Sequence, residues 1–336
     1  MEKQVVENLW KGERESQIEA AMELTRLSSK QRHKLAENGI MVPLISMLHS
    51  QDHEAIEASL CALLCLAFGS ERNKIRIVKS GALPVLLNLF QCQSQPLLEL
   101  TIAAMLTLSS CKANKLAIAS SGAIQLLIQI LNGHYENCTN TQSQLDTIAT
   151  LHNLSTCQEI TPLLVSSGIT MSLLELIHNS GKSSEIAEKS IGLLENIVYS
   201  SEKALSEAAS IGGAIRIVVE TIEEGSMIGR EHAVGILLLI CKSCREKYRG
   251  IILREGVMPG LLQLSVDGTQ RAKGMASELL FLLRDCSNYG SSTSGKNMKK
   301  NHMIIEQIMQ EIDEEGEELA ESTLRLVEEM IAKLHT

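Results

Sequence analysis

The chain has 336 residues, of which 44% are hydrophobic but only 2% aromatic, with five prolines, nine cysteines and a formal net charge of −9. This length exceeds a typical single-core domain, and a core of Leu, Ile, Val, Ala and Met suits helix-on-helix packing rather than a β-rich fold. The charge is local: residues 303–336 hold ten acids against Arg325 and Lys333, which leaves −1 for everything before them and no global basic field to attract nucleic acid.

No stretch reaches the roughly 18 uninterrupted apolar residues of a membrane span, and MEKQVVENLWKGERE lacks the apolar centre of a signal peptide. No membrane span is expected, and the chain is placed in the cytoplasm, with the nucleus open to it. The cysteines, at irregular spacings and mostly inside apolar runs such as CALLC (61–65), suit small buried hydrophobes in a reducing compartment without disulfides.

Along the chain, VVENLWKGERESQIEAAMELTRLS (5–28) predicts two helices of a truncated starting repeat, with Trp10 expected to cover the end of the core. Then one pattern recurs: an apolar helix end, a small residue, Gly, and an amphipathic run. It appears as LAENGIMVPLISML, IVKSGALPVLLNLF, IASSGAIQLLIQIL, LVSSGITMSLLELI, SIGGAIRIVVETI and ILREGVMPGLLQLS. The glycines are Gly39, Gly81, Gly122, Gly168, Gly213 and Gly256, spaced by 42, 41, 46, 45 and 43 residues.

Glycine in the left-handed conformation ends a short first helix and turns the chain into a second. A third amphipathic segment follows a polar turn, as in 54–68, 144–155 and 185–198. Period and helix count predict an all-α armadillo-repeat fold, a right-handed superhelical solenoid of about seven repeats over residues 1–286. NGHYENCTNTQS (132–143) lengthens one unit, and 287–302 has the composition of a flexible linker. In 303–336, Ile305, Ile308, Ile312, Leu319, Leu326 and Met330 mark an acidic amphipathic helix that Gly316 can divide. It serves as a cap on the last repeat, as a coiled-coil or partner-binding helix, or stays disordered.

Residues 230–286, REHAVGILLLICKSCREKYRGIILREGVMPGLLQLSVDGTQRAKGMASELLFLLRDC, closely resemble the last armadillo repeats of plant U-box/armadillo ubiquitin ligases and their armadillo-only relatives. The resemblance covers the repeat pattern of roughly residues 1–286. A U-box would precede the repeats with Cys-Pro and Asp-Pro dipeptides, and here the prolines follow Val42, Leu83, Gln95, Thr161 and Met258. The resemblance therefore implies a non-catalytic adaptor without the ligase module. Its partner is a protein, and the family's partners are receptor-like kinase domains, exocyst subunits and degradation targets.

Armadillo proteins of the importin-α and β-catenin types clamp extended peptides with a column of Asn on their third helices. Here Asn153 and Asn196 occupy that column, with Arg26, Cys65, Thr107, Leu239 and Phe281 at the equivalent positions. Four residues earlier stand Met22, Cys61, Ala103, Ala149, Gly192, Gly235 and Ser277, none aromatic, which speaks against a nuclear-import receptor. Small residues there would leave the groove open to a helix or a folded surface. The candidate partner-binding set is Thr107, Asp146, Asn153, Lys189, Asn196 and His232, with ordinary solvated or helix-packing positions as the plainer reading.

No catalytic residue, cofactor site or metal site is expected. CKSC (241–244) is a lone CxxC without a second pair, GKS (181–183) lacks the glycine of a phosphate loop and is a turn, and neither GxSxG nor HExxH occurs. The expected function is a protein-interaction scaffold linked to ubiquitination or signalling. The alternative is the substrate-recognition part of a U-box ligase whose catalytic module lies on another isoform or chain. A nucleic-acid or membrane scaffold would rest only on Lys296, Lys299 and Lys300. If residues 303–336 cap the last repeat, deleting them lowers the melting temperature and promotes aggregation; an unchanged melt of a monomer would reassign them to a partner.

Overall fold

The computed structural model describes residues 2–133 and 140–284. Among these residues are twenty α-helices and one 3-10 turn, with no strand, as the composition requires. The tip of the 132–143 loop, the 287–302 segment and the 303–336 segment lie outside the described residues.

The described residues divide into two compact units, with the boundary between 176 and 177. The first opens with α1 (Glu2–Lys11) and α2 (Arg14–Arg26), the expected truncated repeat. Two full triplets follow: α3 (Ser29–Glu37), α4 (Met41–Met47) and α5 (His53–Ala67), then α6 (Glu71–Lys79), α7 (Ala82–Leu89) and α8 (Gln95–Ser109). Next, the 3-10 turn Lys112–Asn114 runs into α9 (Lys115–Ser120), followed by α10 (Ala123–Leu131) and α11 (Thr141–Ser155). After α12 (Thr161–Ser166) comes α13 (Ile169–Asn179), within which the division falls. The second unit holds α14 (Glu185–Ser200), α15 (Glu202–Ser210), α16 (Ala214–Glu224), α17 (Met227–Ser243), α18 (Arg245–Arg254), α19 (Met258–Asp267) and α20 (Gln270–Leu283). This order of short first, second and long third helix is that of armadillo repeats.

All six pattern glycines have positive φ, between 75° at Gly39 and 90° at Gly81 and Gly122. Each sits where a first helix ends and a second begins, so the backbone there takes a conformation that a side chain resists. In the third helices the apolar stripe is buried at helical spacing, as with Leu60, Leu63 and Ala67 on α5 and Leu98, Ile102 and Met105 on α8. No single helix among the described residues is long and apolar enough to cross a membrane.

A second device recurs at the start of the third helices. The capping residue satisfies its own helix and also bonds a charged side chain on the preceding third helix. Asp52 accepts from the Glu54 amide and pairs with Arg14 of α2 at 2.5 Å. Asn140 caps Ser143 and donates to Glu99 of α8 at 2.5 Å. In the second unit Ser226 caps Gly229 and donates to Glu188 of α14 at 2.6 Å, and Thr269 caps Ala272 while donating to Glu231 of α17. A single polar side chain thus closes a helix N-terminus and fixes the register of its neighbour.

The helix C-termini are also served from next door. Asn73 donates to the Leu66 carbonyl of α5 at 2.8 Å, and Asn114 to the Leu108 carbonyl of α8 at 3.2 Å. At α20, Arg245 and Arg249 of α18 donate to the carbonyls of Leu282, Leu283 and Arg284. Cations at a helix C-terminus also suit the helix dipole.

Trp10 departs from expectation. It is 50% exposed, and the fully buried residues on α1 are Val5 and Leu9, one helical turn apart on the face that meets the core. The indole falls one residue past that stripe, on the side turned to solvent. The cysteines are less uniform than expected as well: all seven among the described residues are free, with Cys111 and Cys241 buried, Cys244 exposed and four in between. Burial pushes the Cys61, Cys111 and Cys241 thiols up, which keeps them protonated.

At Gly122 an added Cβ would have no neighbour within 4 Å, so a substitution there tests backbone strain alone. Gly122→Ala is expected to cost about 1 kcal/mol, and Gly122→Asn clearly less, because Asn tolerates the left-handed conformation. Urea denaturation of the three proteins checks the order.

Candidate functional site

The long third helices carry the candidate residues, and equivalent positions on them fall into columns. Thr107 on α8 and Asn153 on α11 share one column in the first unit, and Asn196 on α14, Leu239 on α17 and Phe281 on α20 stand at the equivalent repeat position in the second. All five are half-buried or exposed, as a surface column demands. Asp146 in the first unit, and Lys189 and His232 in the second, stand at the equivalent position of their repeats, three residues before the small-residue positions Ala149, Gly192 and Gly235.

The six residues therefore form two sets. Thr107, Asp146 and Asn153 belong to the first unit. Asn153 donates from Nδ2 to Ser109 Oγ of α8 at 3.1 Å, so it ties two consecutive third helices. Asp146 accepts from Gln142 at 2.7 Å, and Thr107 borders a small apolar cavity with Leu60, Leu64 and Leu86. Lys189, Asn196 and His232 belong to the second unit. Lys189 is exposed, with its ammonium 3.4 Å from Glu188, and Asn196 is half-buried.

His232 leads to residues that the sequence reading did not select. Its Nδ1 lies 2.7 Å from Glu195 Oε2. The other oxygen of Glu195 accepts from Arg271 Nη2 of α20 at 2.5 Å, and Arg271 Nη1 reaches Glu231 of α17 at 2.9 Å. Three successive third helices are joined by one guanidinium. Glu195 is only 8% exposed, whereas the Arg271 side chain is 49% exposed, so the network shows its cation to solvent and hides its carboxylates.

The small-residue column explains how this fits. A Cβ at Gly235 would lie 2.1 Å from Glu195 Oε1, and one at Gly192 would lie 3.1 Å from the His232 ring. In the second unit, then, the space at Gly192 and Gly235 is filled by the ionic network and is not left open for a partner. A signal for Glu195 did exist in the sequence. Four of the six equivalent positions are leucine, Leu64, Leu106, Leu238 and Leu280, with Thr25 and His152 at the other two, so Glu195 is the one carboxylate in a mostly apolar column.

Burial pushes the Glu231 carboxyl up, but hydrogen bonds from Thr269 and Arg271 outweigh it and hold the group below its ordinary value. Burial likewise works against the Arg271 charge, and Glu231 and Glu195 outweigh it and raise the guanidinium. Because the folded Glu231 value lies below the unfolded one, its contribution is complete at neutral pH and is lost as pH falls through the folded value. Among the described residues, no group of His, Cys, Asp and Glu is arranged to hold a metal ion. Cys241 and Cys244 of the CxxC are buried and exposed respectively, and Lys182 of the GKS turn bonds the Ile177 carbonyl and Glu220. The arrangement can recognise and position; it holds no nucleophile paired with a base.

The network sets up a double-mutant test. Gly235→Ala forces its Cβ into the Glu195 carboxylate and is expected to destabilise by about 1–3 kcal/mol. In a Glu195→Ala background the same change loses most of that cost, and thermal or chemical denaturation of the four proteins measures the coupling.

Comparison with known proteins places this geometry. The family model for the plant U-box protein ARM repeat region matches residues 127–304. U-box domain-containing protein 45 of Arabidopsis thaliana is 30% identical over 275 residues, covering 80% of this chain and 34% of the relative. U-box domain-containing protein 6 of Arabidopsis thaliana is 32% identical over 190 residues, 55% of this chain and 24% of the relative. The chain thus spans about a third or less of the length of these relatives. Among solved structures, an engineered protein covers 99% of the chain, with 78% of its own length, at TM-score 0.72 and 18% identity. A designed armadillo repeat protein, matched over its full length, covers 73% at TM-score 0.62 and 18% identity, and another, in complex with a (KR)4 peptide, covers 84% of this chain and 98% of its own at TM-score 0.51 and 16% identity. With glycine-marked triplets throughout and a family match over more than half its length, the chain belongs to the plant U-box protein ARM repeat region family.

Proposed function

We propose that this chain is a non-catalytic adaptor that holds a protein partner on its third-helix face, with a place in ubiquitination or signalling in the cytoplasm and with the nucleus open to it. The observation that carries the reading is the ordered polar surface of the second unit. Arg271 is held by two carboxylates yet half-exposed, beside a face that also carries Lys189 and Asn196. A preorganised arginine on a rigid helix loses little freedom on binding, which is the property of interface hot spots. Peptide binding by the designed armadillo protein supports the same use of the fold. By family, the partner classes are a receptor-like kinase domain, an exocyst subunit or a degradation target.

The second reading, the substrate-recognition part of a U-box ubiquitin ligase, is favoured by the relatives' names and by their greater length. Two experiments separate the readings. Purified kinase domains and exocyst subunits are tested for binding to the chain, to Arg271→Glu, and to Lys203→Glu on α15 as a control. A partner lost at least about tenfold with Arg271→Glu alone supports the adaptor, and equal retention by all three overturns the proposed face. With purified E1 and E2 no ubiquitin chains are expected, and robust self-modification would transfer the assignment to the ligase.

A further inference from the structure

A chain of net charge −9 carries a basic ridge on its first unit. The first helices there are strongly cationic: α3 has three Lys or Arg and one Glu, α6 has four and one, and the 112–120 segment has two and no acid. These elements are neighbours, since α3 and α6 both pack on α5, and Asn114 donates to the Lys74 carbonyl of α6 at 3.1 Å.

Some of the charge is used internally. Lys74 pairs with Glu71 at 2.6 Å and bonds Ser110, Lys115 bonds Thr156, and Lys34 pairs with Glu2. The remaining cations, Lys30, Arg32, Arg72, Arg76, Lys79 and Lys112, make no hydrogen bond or ion pair among the described residues. Arg72, Arg76 and Lys79 stand at i, i+4 and i+7 on α6, one stripe of the helix.

We propose that this ridge docks an acidic protein segment, whose carboxylates pair with Arg72, Arg76, Lys79 and Lys112. The surface is separate from the third-helix face and does not depend on the adaptor reading. Carboxylates fit because arginine forks take them bidentately and the stripe repeats at helical spacing. Single-stranded nucleic acid would require aromatic stacking partners, and the whole chain has 2% aromatics. A ligand of the right chemistry is encoded in the same chain: residues 303–336, with ten acids against two bases.

The probe is a fluorescent synthetic peptide of residues 303–336, titrated against the full chain by anisotropy. The full chain is used also with Glu311→Gln, Glu314→Gln, Glu315→Gln, Glu317→Gln, Glu318→Gln and Glu321→Gln, so that its own acids do not compete. Binding is expected to this protein, weakening at least about tenfold in Arg72→Glu/Lys112→Glu and falling with added salt. The milder Arg72→Gln/Lys112→Gln pair shows a smaller loss in the same direction and guards against misfolding. Lys203→Glu on α15 binds the peptide unchanged. Absence of binding to either form, or equal binding by the charge-reversed protein, overturns the proposal. So does ridge-dependent flotation with phosphatidylserine/phosphatidylcholine vesicles that the peptide does not displace, which would assign the ridge to a membrane surface.

Discussion

The structure depends on the polar side chain that opens a third helix and at the same time holds the third helix before it. Stacked helices bearing apolar stripes can slide along one another at little cost, since hydrophobic contact has no direction. Ser226 bonded to Glu188, Thr269 to Glu231, Asn140 to Glu99 and Asp52 to Arg14 remove that freedom. Each contact is anchored at a backbone amide of its own helix, so the register is fixed to within a hydrogen bond. From that register follows the meeting of Glu195, His232 and Arg271, because a slip of one residue would turn each of them away.

The same residue types serve two purposes along the chain. In the second unit acids are drawn inward to join third helices through one half-exposed arginine, and Gly192 and Gly235 yield the volume that His232 and Glu195 need. In the first unit the basic side chains of the first helices are mostly left outward. The chain's acidic total therefore conceals a division of labour, in which charge is structural on one face and available on another.

Much of the fold could be read from the sequence because the signals that build it are local. Six glycines at intervals of 41 to 46 residues mark left-handed turns, and no distant contact is needed to place them. The third helices were visible from apolar periodicity, and the columns containing Asn153 and Asn196 from alignment of the repeats. Trp10 was misplaced because size suggested a cover, whereas the stripe of Val5 and Leu9 decides what faces inward. The ionic network was missed because its partners lie 37 to 76 residues apart, and only stacking brings them together. Glu195, the one carboxylate at a position that four other repeats fill with leucine, is the available clue. The ridge is hidden in the sequence because summing charge over residues 1–302 cancels the cations of α3 and α6 against acids elsewhere.

Arg271 also alters how the second unit comes apart. A repeat array held only by adjacent contacts can fray one unit at a time, each loss costing one interface. The bond from Arg271 to Glu195 passes over α17 and spans 76 residues, so α14 and α20 share a contact although another third helix lies between them. Opening α20 leaves a largely buried carboxylate on α14 without its guanidinium, and the penalty is felt two repeats away. The amide hydrogens of α14, α17 and α20 are therefore expected to exchange together as a three-helix block.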